Sequence, residues 1–236
     1  MDQFSRIKKI ISEEDFEKIA NSHVAVFGLG GVGSYVVEAL SRCGIKELTL
    51  IDKDIIDETN VNRQIFALFS TVGKAKVDVA KERILDINPK AKVNTVKKFY
   101  SKENDVDILG CDYVVDAIDT ISSKLDLIEK CKNLNIPIIS SMGTGNKLDP
   151  TRFMISDIYK TSVCPLCKVM RRELKNCGIE KLKVVYSDEI SLKTDDMKKG
   201  QKDNIHRKQT PGSISFVPGT AGLIIASEVV KDLMSR

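Results

Sequence analysis

Eleven residues, His23-Val-Ala-Val-Phe-Gly-Leu-Gly-Gly-Val-Gly33, constrain this chain more than any other stretch. Val24 to Phe27 is a short apolar run that reads as a buried strand. It breaks into Gly28, Gly30, Gly31 and Gly33, and a helical pattern begins at Val32. Gly28 permits a tight turn, Gly30 lets backbone approach a phosphate, and Gly33 lets the new helix pack against its strand. The amides at that helix start, aided by its dipole, suit an anionic phosphate. A glycine-rich turn can be no more than a corner, but a strand before it and a helix after it make a nucleotide site.

The rest of the first 145 residues repeats the strand–helix alternation. A helix from Val32 to Cys43 ends at Gly44, and Glu47 to Asp52 is a second strand that stays apolar until its last residue. An acid there, about twenty residues past the glycines, is placed for ribose hydroxyls. A long connection, Lys53 to Thr71, precedes a helix over Lys74 to Asn88. Strands follow at Val93–Tyr100, Asp112–Asp119 and Ile136–Ser141, with a helix at Ser122–Asn133. Ahead of all this, Ser12 caps a short helix whose face is Phe16 and Ile19. The pattern predicts an α/β fold, a Rossmann-like doubly wound and mostly parallel sheet whose ligands sit beyond the strand carboxyl ends.

After Gly145 the alternation stops. Arg152–Lys160 reads as a strand, Val163–Cys177 as a basic helix, Val184–Ser187 and Ser213–Val217 as strands, and Gly219–Met234 as a closing helix. These elements are expected to extend the same sheet in antiparallel or mixed fashion. One domain over residues 1–236 is expected, with a nucleotide-binding half (1–145) and a substrate and dimer half (146–236) that carries a flexible basic loop at about 188–212. From Lys160 to Lys208 there are thirteen Lys/Arg against seven Asp/Glu, while the whole chain is only +4. Such a bias suits either a polyanionic partner such as RNA or a solvated lysine-rich loop. No apolar run approaches the ~20 residues that span a bilayer, and the charged first fifteen residues lack a signal-peptide core, so no membrane and a cytoplasmic location are expected. Six scattered cysteines read as reduced thiols.

Gly28-x-Gly30-x-x-Gly33 with Asp52 satisfies the dinucleotide fingerprint, so an NAD enzyme is a contender. The long connection carries Asp54 and Asn60, and its Asn62-Arg63-Gln64, followed by Lys76 on the next helix, shifts the balance by bringing two cations and two amides toward the nucleotide edge. A triphosphate needs such a clamp and a hydride transfer does not. Asp119 could hold Mg²⁺ against phosphates. Singly, Arg63 and Lys76 could be surface charges and Asp119 a helix cap. Together, and in order, they favour ATP.

Gly28-Leu-Gly-Gly-Val-Gly33, Asp52-Lys-Asp54, Asn60-Val-Asn-Arg-Gln64, Gly73-Lys-Ala-Lys76 and Asp116-Ala-Ile-Asp119 together resemble the ubiquitin-activating-enzyme-like superfamily of the ThiF type, whose members adenylate a carboxylate with ATP and Mg²⁺. Within it the chain is more similar to the tRNA threonylcarbamoyladenosine dehydratases. That likeness rests on Gln3-Phe-Ser-Arg6, Ile87-Asn-Pro89, Gly143-Thr-Gly145, Asp149-Pro150, Val185-Tyr-Ser187 and Gly212-Ser-Ile-Ser-Phe216. The resemblance implies adenylation of the threonylcarbamoyl carboxylate at position 37 of a tRNA. The carbamoyl nitrogen of the same modification would then close a ring and expel AMP. It further implies that Asp52 binds ribose, that Arg63 and Lys76 stabilise the polyphosphate, and that Asp119 holds Mg²⁺ or positions the nucleotide. The glycine-turn amides would contact phosphate, and Arg6 would reach the ATP of a second copy in a homodimer.

Cys164-Pro-Leu-Cys167 has the spacing of half a structural zinc site, but residues 213–236 hold no second pair, so zinc is not expected there. The same lack counts against the runner-up, an adenylyltransferase that activates the Gly-Gly terminus of a small sulfur-carrier protein, with a sulfur-transfer partner. Lys168, Arg171, Arg172 and Lys175 on the basic helix are the candidate tRNA contacts, acting through phosphates. A nucleotide-binding module that never turns over is the reading from outside the enzymes.

Overall fold

The computed structural model describes residues 2–192 and 211–236. Seven strands form one sheet in the order β3-β2-β1-β4-β5-β7-β6. β1 (His23–Phe27), β2 (Glu47–Ile51), β3 (Lys92–Val96), β4 (Tyr113–Asp116) and β5 (Ile138–Ser141) run parallel. β7 (Lys183–Ser187) adds to β5, also parallel, and β6 (Phe153–Asp157) closes the edge antiparallel to β7. The strand order reverses between β1 and β4, the position at which such sheets open a ligand crevice.

Alternation along each strand sends its side chains to two different cores. Val24 and Val26 face one side with Leu48, Leu50, Tyr113 and Val115. Ala25 and Phe27 face the other with Ile51, Val114, Ile138 and Val184. The first core is covered by α1 (Glu13–Ala20), α2 (Gly33–Cys43), α3 (Lys76–Ile87) and α6 (Phe216–Met234). The second is covered by α4 (Ile121–Asn133) and α5 (Pro165–Asn176). Both faces being buried, the strands read as apolar runs rather than as alternating ones.

The helix ends follow local chemistry. The Ser12 hydroxyl accepts the Asp15 amide at 3.0 Å and caps α1. Gly44, left-handed at φ 96°, ends α2 and returns its N–H to Ser41. α6 crosses α2 almost backbone to backbone: a β-carbon at Gly222 would lie 2.5 Å from the Val32 carbonyl oxygen, and one at Gly219 would press on the Tyr35 ring.

Two expectations change. Ser213–Val217 is not a strand: residues 211–214 are irregular and Phe216 opens α6. Val217 is buried in the first core from a helix start, Ile214 packs partly buried against it from a coil, and Pro218 is tolerated because it falls in the first turn of a helix. The second half extends the sheet in mixed fashion, as expected. The chain goes to the outer edge as β6, crosses over through α5, and returns as parallel β7 between β5 and β6. The strand expected over Arg152–Lys160 stops at Asp157, whose carboxylate caps a 3₁₀ turn at Ile158–Lys160. Of the basic loop expected at 188–212, residues 193–210 lie outside the described part. No helix of the described residues is long and apolar enough to cross a membrane.

Candidate active site

A cavity of about 700 Å³ opens at the carboxyl ends of the central strands. Its floor is the glycine turn. Gly28 adopts φ +88° and donates its N–H to the Ile51 carbonyl at 2.8 Å, and a β-carbon there would meet the Ala117 carbonyl oxygen at 2.6 Å. A β-carbon on Gly33 would overlap the Gly28 carbonyl, so α2 can start this close to β1 only without a side chain. Gly30, by contrast, has nothing within 4 Å of where a β-carbon would be. That free space faces the cavity beside the first amides of α2, a shape that fits phosphate.

Asp52 follows β2 directly and accepts two backbone amides, Leu29 at 2.6 Å and Asp54 at 2.8 Å. Its carboxylate therefore ties the glycine turn to the next loop while lining the cavity. Asp54 in turn holds Lys76 twice, by its carbonyl to the Lys76 N–H at 3.0 Å and by Oδ2 to Nζ at 2.9 Å. Lys76 is only 5% exposed, and its ammonium is aimed at the rim by that acid. The Asn60 side chain accepts the Asp57 amide, and the Asn60 carbonyl accepts the amides of Arg63 and Gln64. The loop is thus folded so that Asn60, Arg63 and Gln64 all line the cavity. Arg63 Nη1 rests on the Thr59 carbonyl (2.8 Å) and Asn62 Oδ1 (2.9 Å). Asp119 is exposed at the mouth, beyond β4.

All of the nucleotide contacts expected from the sequence line this one cavity except Gly33, which lies behind the turn, and Arg6. Arg6 is exposed on the N-terminal arm, where Phe4 stacks near Phe16 at 5.4 Å between ring centroids. The opposite wall is made by Ser141–Gly145 after β5, Leu166 of α5, and Pro211 and Ser213. Asn146 fastens that wall: it donates its N–H to the Gly212 carbonyl, accepts the Gly212 amide on Oδ1, and accepts the Leu192 amide on its carbonyl.

On α5, Lys168, Arg172 and Lys175 are exposed. Arg171 differs, because its guanidinium lies on the carbonyl and hydroxyl of Thr161. Cys164 and Cys167 are both buried at the start of that helix, beneath Gly143. Hydrogen bonding from Cys167 draws the Cys164 thiol down against its burial, helped by the amides of Cys167, Gly143 and Leu166, and Cys167 is pushed up in return. Among the described residues no group of three or more His, Cys, Asp and Glu is placed to hold a metal.

The sequence reading assigned nothing to Asp116, Lys124, Ser140 or Tyr100. Tyr100 lines the cavity, edge-on to Phe27, and burial raises its hydroxyl above the ordinary tyrosine range. Asp116, Lys124 and Ser140 form a hydrogen-bonded group below the floor. One signal was available for Lys124. It falls on the apolar stripe of α4 with Leu127, Ile128 and Cys131, at helical spacing, where a lysine needs a buried partner.

The ThiF family model matches residues 4–236. The tRNA threonylcarbamoyladenosine dehydratase of Bacillus subtilis is 48% identical over 240 residues, covering 98% of this chain and 94% of the relative. That of Escherichia coli is 40% identical over 176 residues, covering 74% and 66%. The crystal structure of the E. coli dehydratase, TcdA, in complex with ATP superposes with a TM-score of 0.89 at 34% identity, over 99% of this chain and 94% of that one. E. coli MccB with ATP reaches 0.70 at 20% identity and shares the fold alone. A match that runs from residue 4 to residue 236, with the B. subtilis relative aligned over nearly its whole length, has one meaning: the chain belongs to the ThiF family.

Proposed function

We propose that the protein is an ATP-dependent tRNA-modifying enzyme that dehydrates N6-threonylcarbamoyladenosine at position 37 to its cyclic form. The observation that carries this reading is the single cavity that joins the glycine turn, Asp52, Arg63, Lys76 and Asp119 to the wall at Ser141–Gly145. The full-length likeness to proteins of that name, one of them solved with ATP, supports it.

In this reading the amides at the start of α2 and the space beside Gly30 take the phosphates, and Asp52 takes the ribose. Asp54, Asn60 and Gln64 complete that side. Arg63 and Lys76 neutralise charge that builds on the phosphorus oxygens and the departing pyrophosphate, an effect worth roughly 10²–10³-fold in rate per donor in comparable sites. Asp119 would hold Mg²⁺, which would supply positive charge to shield the polyphosphate. The threonylcarbamoyl carboxylate oxygen bonds to the α-phosphorus and pyrophosphate leaves. The carbamoyl nitrogen then bonds to the activated carbonyl carbon, loses its proton, and AMP leaves with the carboxylate oxygen. The sum is the removal of one water, its oxygen carried off on AMP. No thiol takes part, which agrees with the burial of Cys164 and Cys167. Lys168, Arg172 and Lys175 grip tRNA phosphates, Arg171 shapes their helix, and Arg6 completes the site of a second copy in a homodimer. A reaction on tRNA fits the cytoplasmic location expected from the sequence.

The test is mass spectrometry of tRNA carrying the modification after incubation with protein, ATP and Mg²⁺, digested mildly. Loss of one water from that nucleoside, absent with Arg63→Ala, is the expected result. No loss, with pyrophosphate exchange only when a Gly-Gly-terminated protein is added, would move the assignment to carrier-protein activation.

A further inference from the structure

Under the cavity floor lies an ion pair that no ligand contact explains. Asp116, the last residue of β4, and Lys124, in the first turn of α4, are both fully buried, with Nζ 2.9 Å from Oδ2. Neither lines the cavity. The same carboxylate accepts the Ser140 hydroxyl of β5 at 2.5 Å and the Ile118 amide at 3.1 Å. One side chain therefore joins β4, β5, α4 and the loop at residues 117–119.

That loop is the one that presents Asp119. It is pressed against the glycine turn, since the Ala117 N–H donates to the Phe27 carbonyl at 2.8 Å and the Ala117 carbonyl blocks any side chain at Gly28. The neighbour of Lys124, Ser123, gives its hydroxyl to the Tyr100 carbonyl at 2.7 Å, so the first turn of α4 also braces the wall at Tyr100. Folding stability alone does not account for such a pair. Two sealed charges lose much of their attraction to desolvation, and apolar residues of similar volume commonly serve as well or better.

We propose that Asp116 and Lys124 are positioning residues, whose buried pair sets the Asp119 carboxylate at the distance from the glycine turn that a magnesium-bound phosphate requires. The inference rests on the reading above in which Asp119 holds Mg²⁺. Outer partners of this kind, when removed, commonly cost roughly 10–100-fold in metal affinity.

The test is calorimetric titration of ATP into the full-length protein, with Mg²⁺ and with EDTA, comparing the unaltered chain, Asp119→Asn, and the double variant Asp116→Asn with Lys124→Met. The double variant removes both charges at similar volume. Its ATP affinity in EDTA should stay within about twofold of the unaltered protein, while the gain in affinity on adding Mg²⁺ falls by about tenfold, as in Asp119→Asn. A purely structural pair would shift both conditions together or neither. If the double variant keeps the magnesium gain that Asp119→Asn loses, the positioning role is overturned and the site reading survives. If Asp119→Asn keeps the gain, or magnesium gives none, the magnesium role of Asp119 is wrong and the proposal falls with it. Should the double variant fail to give a cooperative melting curve, Ser140→Ala supplies the same readout, with a gain reduced by about threefold; an unchanged gain there overturns the proposal.

Discussion

Two lysine–aspartate pairs of equal length belong to this site, and they are opposite in kind. Lys76 meets Asp54 and Lys124 meets Asp116, each at 2.9 Å. At the rim the lysine side chain is 7% exposed but its acid is 48% exposed. Water already reaches that carboxylate, so a phosphate can take its place on the ammonium at little cost. At the floor both partners are sealed and the carboxylate has further donors from Ser140 and Ile118. Nothing can be exchanged there. A lysine is available for chemistry because its partner can be displaced, and nearness to a cavity is not enough.

The largest effect that could break this contrast is on folding. Lys124→Met alone should lower the free energy of unfolding by about 3–5 kcal/mol, because Asp116 is left charged and sealed, whereas the double variant with Asp116→Asn should recover most of it. Urea denaturation measures both, and a single variant as stable as the parent would erase the distinction. Lys76→Ala should show the reverse profile. Dehydration should slow by roughly 10²–10³-fold while the urea midpoint barely moves, since Asp54 is free to turn to solvent. A large loss of stability with normal turnover would make the rim pair structural.

Intermediate cases sharpen the scale. Lys168 and Arg172 are exposed, and the only described acid on Arg172 is its sequence neighbour Glu173 at 2.6 Å. Replacing both by alanine should weaken tRNA binding and flatten its salt dependence by about two charge units in a filter-binding series. An unchanged slope would remove α5 from the tRNA surface. Glu38 joins α2 to α3 through Arg83 (2.6 Å) and to Arg42 (2.7 Å), with its side chain only 10% exposed. Burial alone would raise its pKa, but the hydrogen bonds from Arg83 and then Arg42 outweigh it and hold the carboxyl below its ordinary 4.5. The stability this gives is fully present above that value and disappears as pH falls through the lowered one. Glu38→Gln should therefore be less stable than the parent at pH 7 and converge on it in acid. A gap that persists at low pH would point to packing instead. The smallest effect should come from Ser12→Ala, about 1 kcal/mol of stability from the lost cap of α1 with no change in turnover.

The sequence was most legible where one residue type has one reason to be present. The glycine turn, the acid after β2 and the cations of the following loop were all readable, because each glycine excludes a side chain and each charge faces the same edge. It was least legible where a residue's meaning depends on a distant partner. Lys124 stands on the apolar stripe of α4, which calls for a buried partner without telling that the partner is Asp116, on a separate element. Arg171 looks like its basic neighbours until Thr161 is found under its guanidinium. Ser213–Val217 carries a strand-like alternation, yet all seven strands of the sheet are supplied elsewhere, and its apolar residues enter the core from a helix start instead. The place of β7 inside β6 was likewise hidden, because edge order is decided by the crossover through α5 and leaves little local trace.

The close crossing of α6 over α2 has a consequence in time. Gly31 and the start of α2 rest on Pro218 and Gly222, so the glycine turn near residue 30 is backed by residues almost two hundred positions later. On the ribosome the turn is synthesised early but has no surface behind it until residues 216–234 have emerged. A nascent chain stalled before that point should hold nucleotide poorly however complete its β1 and α2 are. Nucleotide retention is thereby made to wait for a segment synthesised almost two hundred residues after the turn itself.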